Sequence, residues 1–345
     1  MELTVELVSA ACMLAALLAY VLLAGADFGA GIWDLLATGP RRQLQRDVLA
    51  HSVAPIWDTN HVWLILVVVI LLTGFPSAFS AIMTALRVPV TIALLGIVAR
   101  GSAFVFRSYS HGNASQQRWG SLFSIASVVT PIMLGVVLGT IASGALRWDG
   151  DTYISGFFAP WCAPFPWAVG AFAVAIFAFL AATYVCVELL GRSQIDPAVQ
   201  EDFRRRALVA AAAVGVAAAV TWLLARSGAP AIERNLSGQW WKWPLQIATA
   251  AAAIGAIASL VRRRYVLART CAVIQVTLIV GGFGAALFPF LVVPDFTIAS
   301  SAAPPVTHRL LLAAIGLGAL LLLPSLYVLF RVFKGRRAFA VIDEE

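Results

Sequence analysis

Long apolar runs, interrupted at short intervals by small clusters of charge, occupy nearly the whole chain. Most runs are close to the roughly 20 residues that a helix needs to cross a hydrocarbon core. Read as charge-free stretches, they predict spans at 7–26, 55–73, 77–98, 121–145, 166–187, 207–225, 244–261, 270–292 and 310–330. Pro55, Pro76, Pro166 and Pro244 stand at or just before span starts, where a missing N–H costs little. Gly74-Phe75-Pro76 predicts a tight uncharged turn between the second and third spans. The pattern therefore predicts an all-α integral membrane protein, one polytopic membrane domain over 1–345 with about nine transmembrane helices.

Composition supports that reading. The chain is 61% hydrophobic and 12% charged, with mean hydropathy +0.89, whereas a soluble domain carries about a quarter charged residues. A net charge of +7 suggests nucleic acid in a soluble protein, but here the basic residues sit in short loops, so nucleic acid is discarded. With nine spans, 18 of the 24 Lys and Arg fall on one side and 5 on the other, with Arg87 inside a span. The positive-inside rule then places the N-terminus outside and the C-terminus in the cytoplasm. Stretch 7–23 resembles a signal-peptide core, but Glu2 and Glu6 give its flank the wrong charge, so a retained first helix is expected. Cys12, Cys162, Cys186 and Cys271 show no C-x-x-C spacing and read as small buried hydrophobes.

Charged groups at membrane depth cost about 2.5–3.5 kcal/mol at a helix centre and so need a reason. Asp27 ends the first predicted span, Asp34 follows it, and Asp58, Asn60 and His61 open the second, all at the basic end. Asp58 and His61 are three apart and share a helical face, which suits them to exchange a proton. A proton-uptake mouth is one reading. An acidic cap on a helix N-terminus is the other. Trp57, Trp63, Trp33, Trp161, Trp167, Trp240, Trp241 and Trp243 read as interfacial belt residues. Arg87 falls midway along the third predicted span and is expected to face the protein interior or a partner subunit. The glycines at 25 and 29, and at 135 and 139, have small-xxx-small spacing that permits close helix approach.

A haem held within a bundle by two histidines needs them on facing helices at matched depth. His51, His61, His111 and His308 all fall in predicted loops or at span ends, and Met13, Met83 and Met133 read as packing residues. No phosphate loop, nucleophile elbow or zinc spacing is present, so this chain is expected to hold no cofactor and to be silent alone.

Four segments then carry a resemblance. They are Gly25-Ala26-Asp27-Phe28-Gly29-Ala30-Gly31, the stretch His51-Ser52-Val53-Ala54-Pro55-Ile56-Trp57-Asp58-Thr59-Asn60-His61-Val62-Trp63-Leu64-Ile65, Ala99-Arg100-Gly101-Ser102-Ala103-Phe104-Val105-Phe106-Arg107-Ser108, and Phe288-Pro289-Phe290 with Pro294. In order and spacing the chain resembles subunit II of cytochrome bd-type quinol oxidases over essentially its whole length. The Pro-x-Trp-Asp block is the specific part.

The resemblance implies a heterodimer in the bacterial cytoplasmic membrane, with a larger subunit I carrying two b-type haems and one d-type haem. It implies membrane quinol and dioxygen as substrates of the complex, lipid around it, and room for small accessory subunits. Asp58 matches a family position on the proton path, with His61 and Asp27 beside it, and Trp63 matches one near the oxygen route. Trp57, Asn60, Arg100 and Arg107 are carried as structural or interface residues. His51 and His61 depart from the family, which more often has Asn or Gln there, and Arg87 stands where an apolar residue is expected. No motif for the structural quinone of some members is identifiable. The rival reading is a proton-coupled secondary transporter using Asp27 and Asp58. Its usual paired broken helices and internal repeat are not evident.

Overall fold

The computed structural model describes residues 4–53, 57–110, 112–150, 152–190, 196–238 and 241–333, apart from the side chains of residues 53, 57, 58, 113, 236–238, 330 and 333. The first half runs α1 Val5–Leu35, α2 Arg42–Val53, α3 Trp57–Asn60, α4 Val62–Gly74, α5 Pro76–Ala85, α6 Arg87–Tyr109 and α7 Asn113–Ser143. A hairpin of β1 Trp148–Asp149 and β2 Thr152–Tyr153 leads to α8 Ala159–Cys162, α9 Pro164–Glu188, α10 Pro197–Gly228 and α11 Pro230–Gly238. Then follow α12 Lys242–Val261, α13 Tyr265–Leu287, a second hairpin of β3 Phe290–Val292 and β4 Phe296–Thr297, α14 Ile298–Ser301 and α15 Pro305–Phe333.

Eight of these helices are long and apolar enough to cross a membrane, and α4 with α5 forms a ninth candidate bent by 116°. Helix starts follow local chemistry. Thr4 caps α1 by accepting from Leu7 N, Asp196 caps α10 by accepting from Ala198 N, and prolines occupy the first turns of α5, α9 and α10. Gly144, with φ +76°, ends α7 in the left-handed conformation that favours glycine.

The long helices overlap the predicted runs, with two differences around α3 to α6: the run 55–73 is divided between α3 and α4, with its start outside the described residues, and the next run is displaced. The third crossing is α6, Arg87–Tyr109, and not 77–98. Residues 76–85 form α5, which the turn at Phe75 throws off the axis of α4. Arg87 therefore opens a helix instead of lying at mid-span. It is exposed, with its guanidinium 4.6 Å from the Phe157 ring centroid, and joins the sparsely charged end. This bent pair is the one such pair among the described residues, not the two of a repeat-built transporter.

Helices α1 and α9 form the centre of the main core. A Cβ placed at Gly25 would lie 2.7 Å from the Phe177 ring, and one at Gly29 would lie 2.0 Å from the Phe177 carbonyl oxygen. Nearer the start of α9, Gly135 and Gly139 of α7 meet Gly170 and Pro166 at 2.6 and 2.8 Å by the same measure. Both small-xxx-small pairs are thus true helix contacts. Along α15, leucines 310, 317, 320, 321 and 323 are exposed, as a lipid-facing helix requires.

Two other expectations are corrected. Trp33 is buried and donates Nε1–H to the Ala178 carbonyl at 2.7 Å, and Trp161 is also buried, while Trp167 and Trp243 are exposed as belt residues would be. Of the cysteines only Cys186 is fully buried, and Cys162 is exposed. His308 stands in the first turn of α15, at a span end as expected, and is fully buried with Nδ1 2.9 Å from Ser9 Oγ.

Candidate functional site

The polar residues of the basic end converge because α1 does not stop at Asp27. It continues to Leu35, so Asp27 and Asp34 lie two turns apart on one face, 4% and 2% exposed. Asn60, at the end of α3, donates from Nδ2 to Asp27 Oδ2. His61, at the joint between α3 and α4, has its ring 6.0 Å from Tyr20 and 5.9 Å from Phe28, the latter edge-on. The structure thus brings Asp27, Asn60 and His61 together. Asp58 and Trp57 belong to the same short helix α3, but their side chains lie outside the described residues.

Arg100 is 1% exposed, deep in α6. Its guanidinium stacks 4.8 Å from the Phe28 centroid and 5.0 Å from that of Phe123, and Nε donates to Ser127 Oγ at 3.1 Å. Two turns further along α6, Arg107 meets Asp34 at 3.3 Å. Asp34 also accepts from Ser124 Oγ at 2.7 Å and faces Arg46 of α2 at 3.7 Å, while Arg46 donates to the Asp34 carbonyl. Burial pulls the Arg46 pKa down from the ordinary arginine value, and the Asp34 carboxylate acts against that. One carboxylate therefore ties together α1, α2, α6 and α7.

Sequence reasoning noted Asp34 without giving it a role, and missed Arg46, Ser124 and Ser127. One signal was available: the seven-residue step from Asp27 to Asp34 recurs from Arg100 to Arg107, so two acids and two arginines fall on matching faces. Gly31, between the acids, lets Ser127 approach. A Cβ there would lie 2.1 Å from Ser127 Oγ.

Above Asp34 a cleft of about 350 Å³ opens at this end, lined among others by Gln43, Asp47, His51, Arg107 and Gln116. His51 turns Nδ1 to the Asp47 carbonyl at 2.7 Å. Nearby, Asp202 of α10 receives both Nε and Nη2 of Arg41, at 3.0 and 2.8 Å, together with Gln45 Nε2 at 2.9 Å. Burial is slight at Arg41, whose pKa is raised by this pairing. These bonds fasten α2 over the mouth of the bundle. Trp63 is half-buried and packs against the main core, as an ordinary core residue does.

His61 and His308 stand too far apart to ligate one haem together. His61 precedes α4 and His308 lies against Gly74 at its other end, about 20 Å away at 1.5 Å per residue. Among the described residues, no three His, Cys, Asp or Glu side chains gather as a metal site.

Comparison with known proteins bears on this geometry. The sequence model of the family described as cytochrome bd terminal oxidase subunit II matches residues 5–333. A cytochrome bd ubiquinol oxidase subunit 2 of Bacillus subtilis is 30% identical over 125 residues, which is 36% of this chain and 36% of that protein. A cytochrome bd-I ubiquinol oxidase subunit 2 of Escherichia coli is 27% identical over 179 residues, 51% of this chain and 46% of its own length. These matches span less than half of either relative. The fold is similar to a chain in the solved bd oxidase of Geobacillus thermodenitrificans, with TM-score 0.79 and 23% identity over 96% of this chain and 99% of that one.

Proposed function

The chain belongs to the family of cytochrome bd terminal oxidase subunit II, and on that premise we propose that it is the haem-free partner of a haem-bearing subunit I, bringing it protons from the cytoplasmic side. The complex oxidises membrane quinol and reduces dioxygen to water, a reaction that consumes protons where oxygen is reduced. The two b-type haems and the d-type haem belong to subunit I. This chain supplies no redox group.

The observation that carries the reading is the bond from Asn60 to the buried Asp27, with His61 beside it, at the joint between α3 and α4. A carboxylate is kept at membrane depth only where it is paired or used. Here its partners sit one turn from Asp58, on the end of the bundle that holds most of the positive charge. Asp58 takes up protons, His61 and Asp27 hold them within the fold, and Asn60 orients the Asp27 carboxylate. Trp63 borders the oxygen route, while Trp57, Arg100 and Arg107 keep these elements in place.

The test is Asp58→Asn in the assembled complex, followed by haem content and oxygen consumption. Normal haem spectra with strongly slowed turnover are expected. Unchanged steady-state turnover would remove the proton-supply role and leave the family assignment standing.

A further inference from the structure

Beyond Asp27, toward mid-membrane, three buried polar atoms have no hydrogen-bond partner: Tyr20 Oη on α1, Arg100 Nη2 on α6 and Thr130 Oγ1 on α7. All three side chains are at most 2% exposed. They border one region. The Tyr20 and Phe28 rings flank His61, and the Arg100 guanidinium lies over Phe28. Thr130 stands one turn from Ser127, the Arg100 acceptor, and faces Gly96, one turn from Arg100 on α6. Tyr20, Arg100 and Asp27 lie within electrostatic reach of one another.

We propose that Tyr20, Arg100 and Thr130 hold a buried cluster of ordered water, which extends the polar seam running from the cleft at Asp34, past Asp27, to mid-membrane. An orphaned buried donor or acceptor is costly, and native proteins satisfy such groups with water where two to four polar partners converge. Charge selects the ligand. Asp27 already balances Arg100, so the site takes a neutral molecule and not an anion. Two glycines set how closely the hydroxyls of α7 approach α1 and α6 here. Gly31 leaves room for Ser127 Oγ, and a Cβ at Gly96 would lie 2.2 Å from Thr130 Oγ1.

The cluster gives a proton leaving Asp27 somewhere to go. Water accepts it on one side and releases one of its own protons on the other, toward the haem-bearing subunit where oxygen reduction consumes it. Asp27 is reprotonated from the Asp58 side, and each water and hydroxyl then turns to restore the starting hydrogen bonds. The Tyr20 hydroxyl, accepting and donating in turn, is the inner end of that chain. This inference rests on the proton-supply reading.

A map of the intact two-subunit complex, at a resolution that shows ordered water, tests the site. Density is expected within about 3.2 Å of Tyr20 Oη, Arg100 Nη2 and Thr130 Oγ1. A dry site, or direct bonds among the three side chains, would overturn the proposal. The double variant Tyr20→Phe, Thr130→Val keeps the volumes and removes both hydroxyls. It should lose that density and slow oxygen consumption severalfold, with a larger solvent isotope effect and unchanged haem content. Water present in the native map with unaltered turnover in the variant would overturn the relay role. The two readings fail separately: water in the map together with normal turnover in Asp58→Asn would sink proton supply through Asp58 and not the water site.

Discussion

Asp34 of α1 meets Arg107 of α6 at 3.3 Å, two turns along both helices from Asp27 and Arg100. The same two helices thus carry an acid–arginine match twice at one spacing. The outer pair faces a cleft, and the inner arginine is enclosed by Phe28 and Phe123. The two arginines differ in burial, Arg107 being about one-fifth exposed and Arg100 fully enclosed, so the outer one borders water while the inner one is held in a fixed position.

Asp34→Asn keeps the size of the side chain and the contact with Ser124 but removes the charge that Arg107 and Arg46 share. Hydrogen bonds to charged groups contribute about 1.5–3 kcal/mol each, and both arginines are about one-fifth exposed, so the lower part of that range is expected. The variant should melt at a lower temperature in detergent, and hydrogen exchange should rise first in α2, which Arg46 anchors. Equal exchange in α2 of both proteins would show that the anchor lies elsewhere.

Gly29→Ala is the most damaging small substitution that the fold predicts. The added Cβ would sit 2.0 Å from a backbone carbonyl of α9, which no side-chain rotation relieves, so α1 and α9 must separate. Overpacking of this kind costs about 1–3 kcal/mol. Gly281→Ala, where nothing lies within 4 Å, should melt like the parent and serves as the control.

Arg87→Ala should be mild. At the start of α6 its guanidinium is exposed and gains mainly the contact with Phe157, about 0.5–1 kcal/mol at an exposed site. The altered chain should insert and assemble normally, since the loss leaves the sparse end poorer in positive charge and sharpens the asymmetry. A failure to insert, seen as loss of the chain from the membrane fraction, would restore Arg87 to an interior position.

Much of this architecture is legible without coordinates because bilayer thickness and charge asymmetry constrain a polytopic chain so strongly. The starts of α5, α9 and α12 were marked by prolines, and the side carrying most of the positive charge followed from counting. The turn at Gly74-Phe75-Pro76 was legible, but that the segment after it leaves the axis of the span was not. Residues 76–85 are as apolar as a true span, and only packing reveals that they turn aside. Trp33 misled for a related reason: composition assigns tryptophan to the interface, whereas its indole N–H here finds a buried carbonyl on α9. The clustering of Asp27, Asn60 and His61 was expected from their shared end of the bundle. That Asp34 would organise four helices was not, because its partners are scattered from Arg46 to Ser124 along the chain.

Orientation is the remaining proposal, and a native cysteine offers a direct test of it. Cys162 ends α8 in the segment between α7 and α9, at the end of the bundle poor in positive charge, and its side chain is exposed. Cys186 is buried, and Cys12 and Cys271 are partly covered within membrane helices. A thiol reagent that cannot cross the membrane should therefore modify this chain in intact cells stripped of their outer layers, with the label on Cys162. In inside-out vesicles the same reagent should leave Cys162 untouched until detergent is added. The reverse pattern would place the basic end, with Asp34, Asp58 and the cleft, outside the cell. Proton supply from the cytoplasm through this chain would then fail, because its mouth would open on the wrong side.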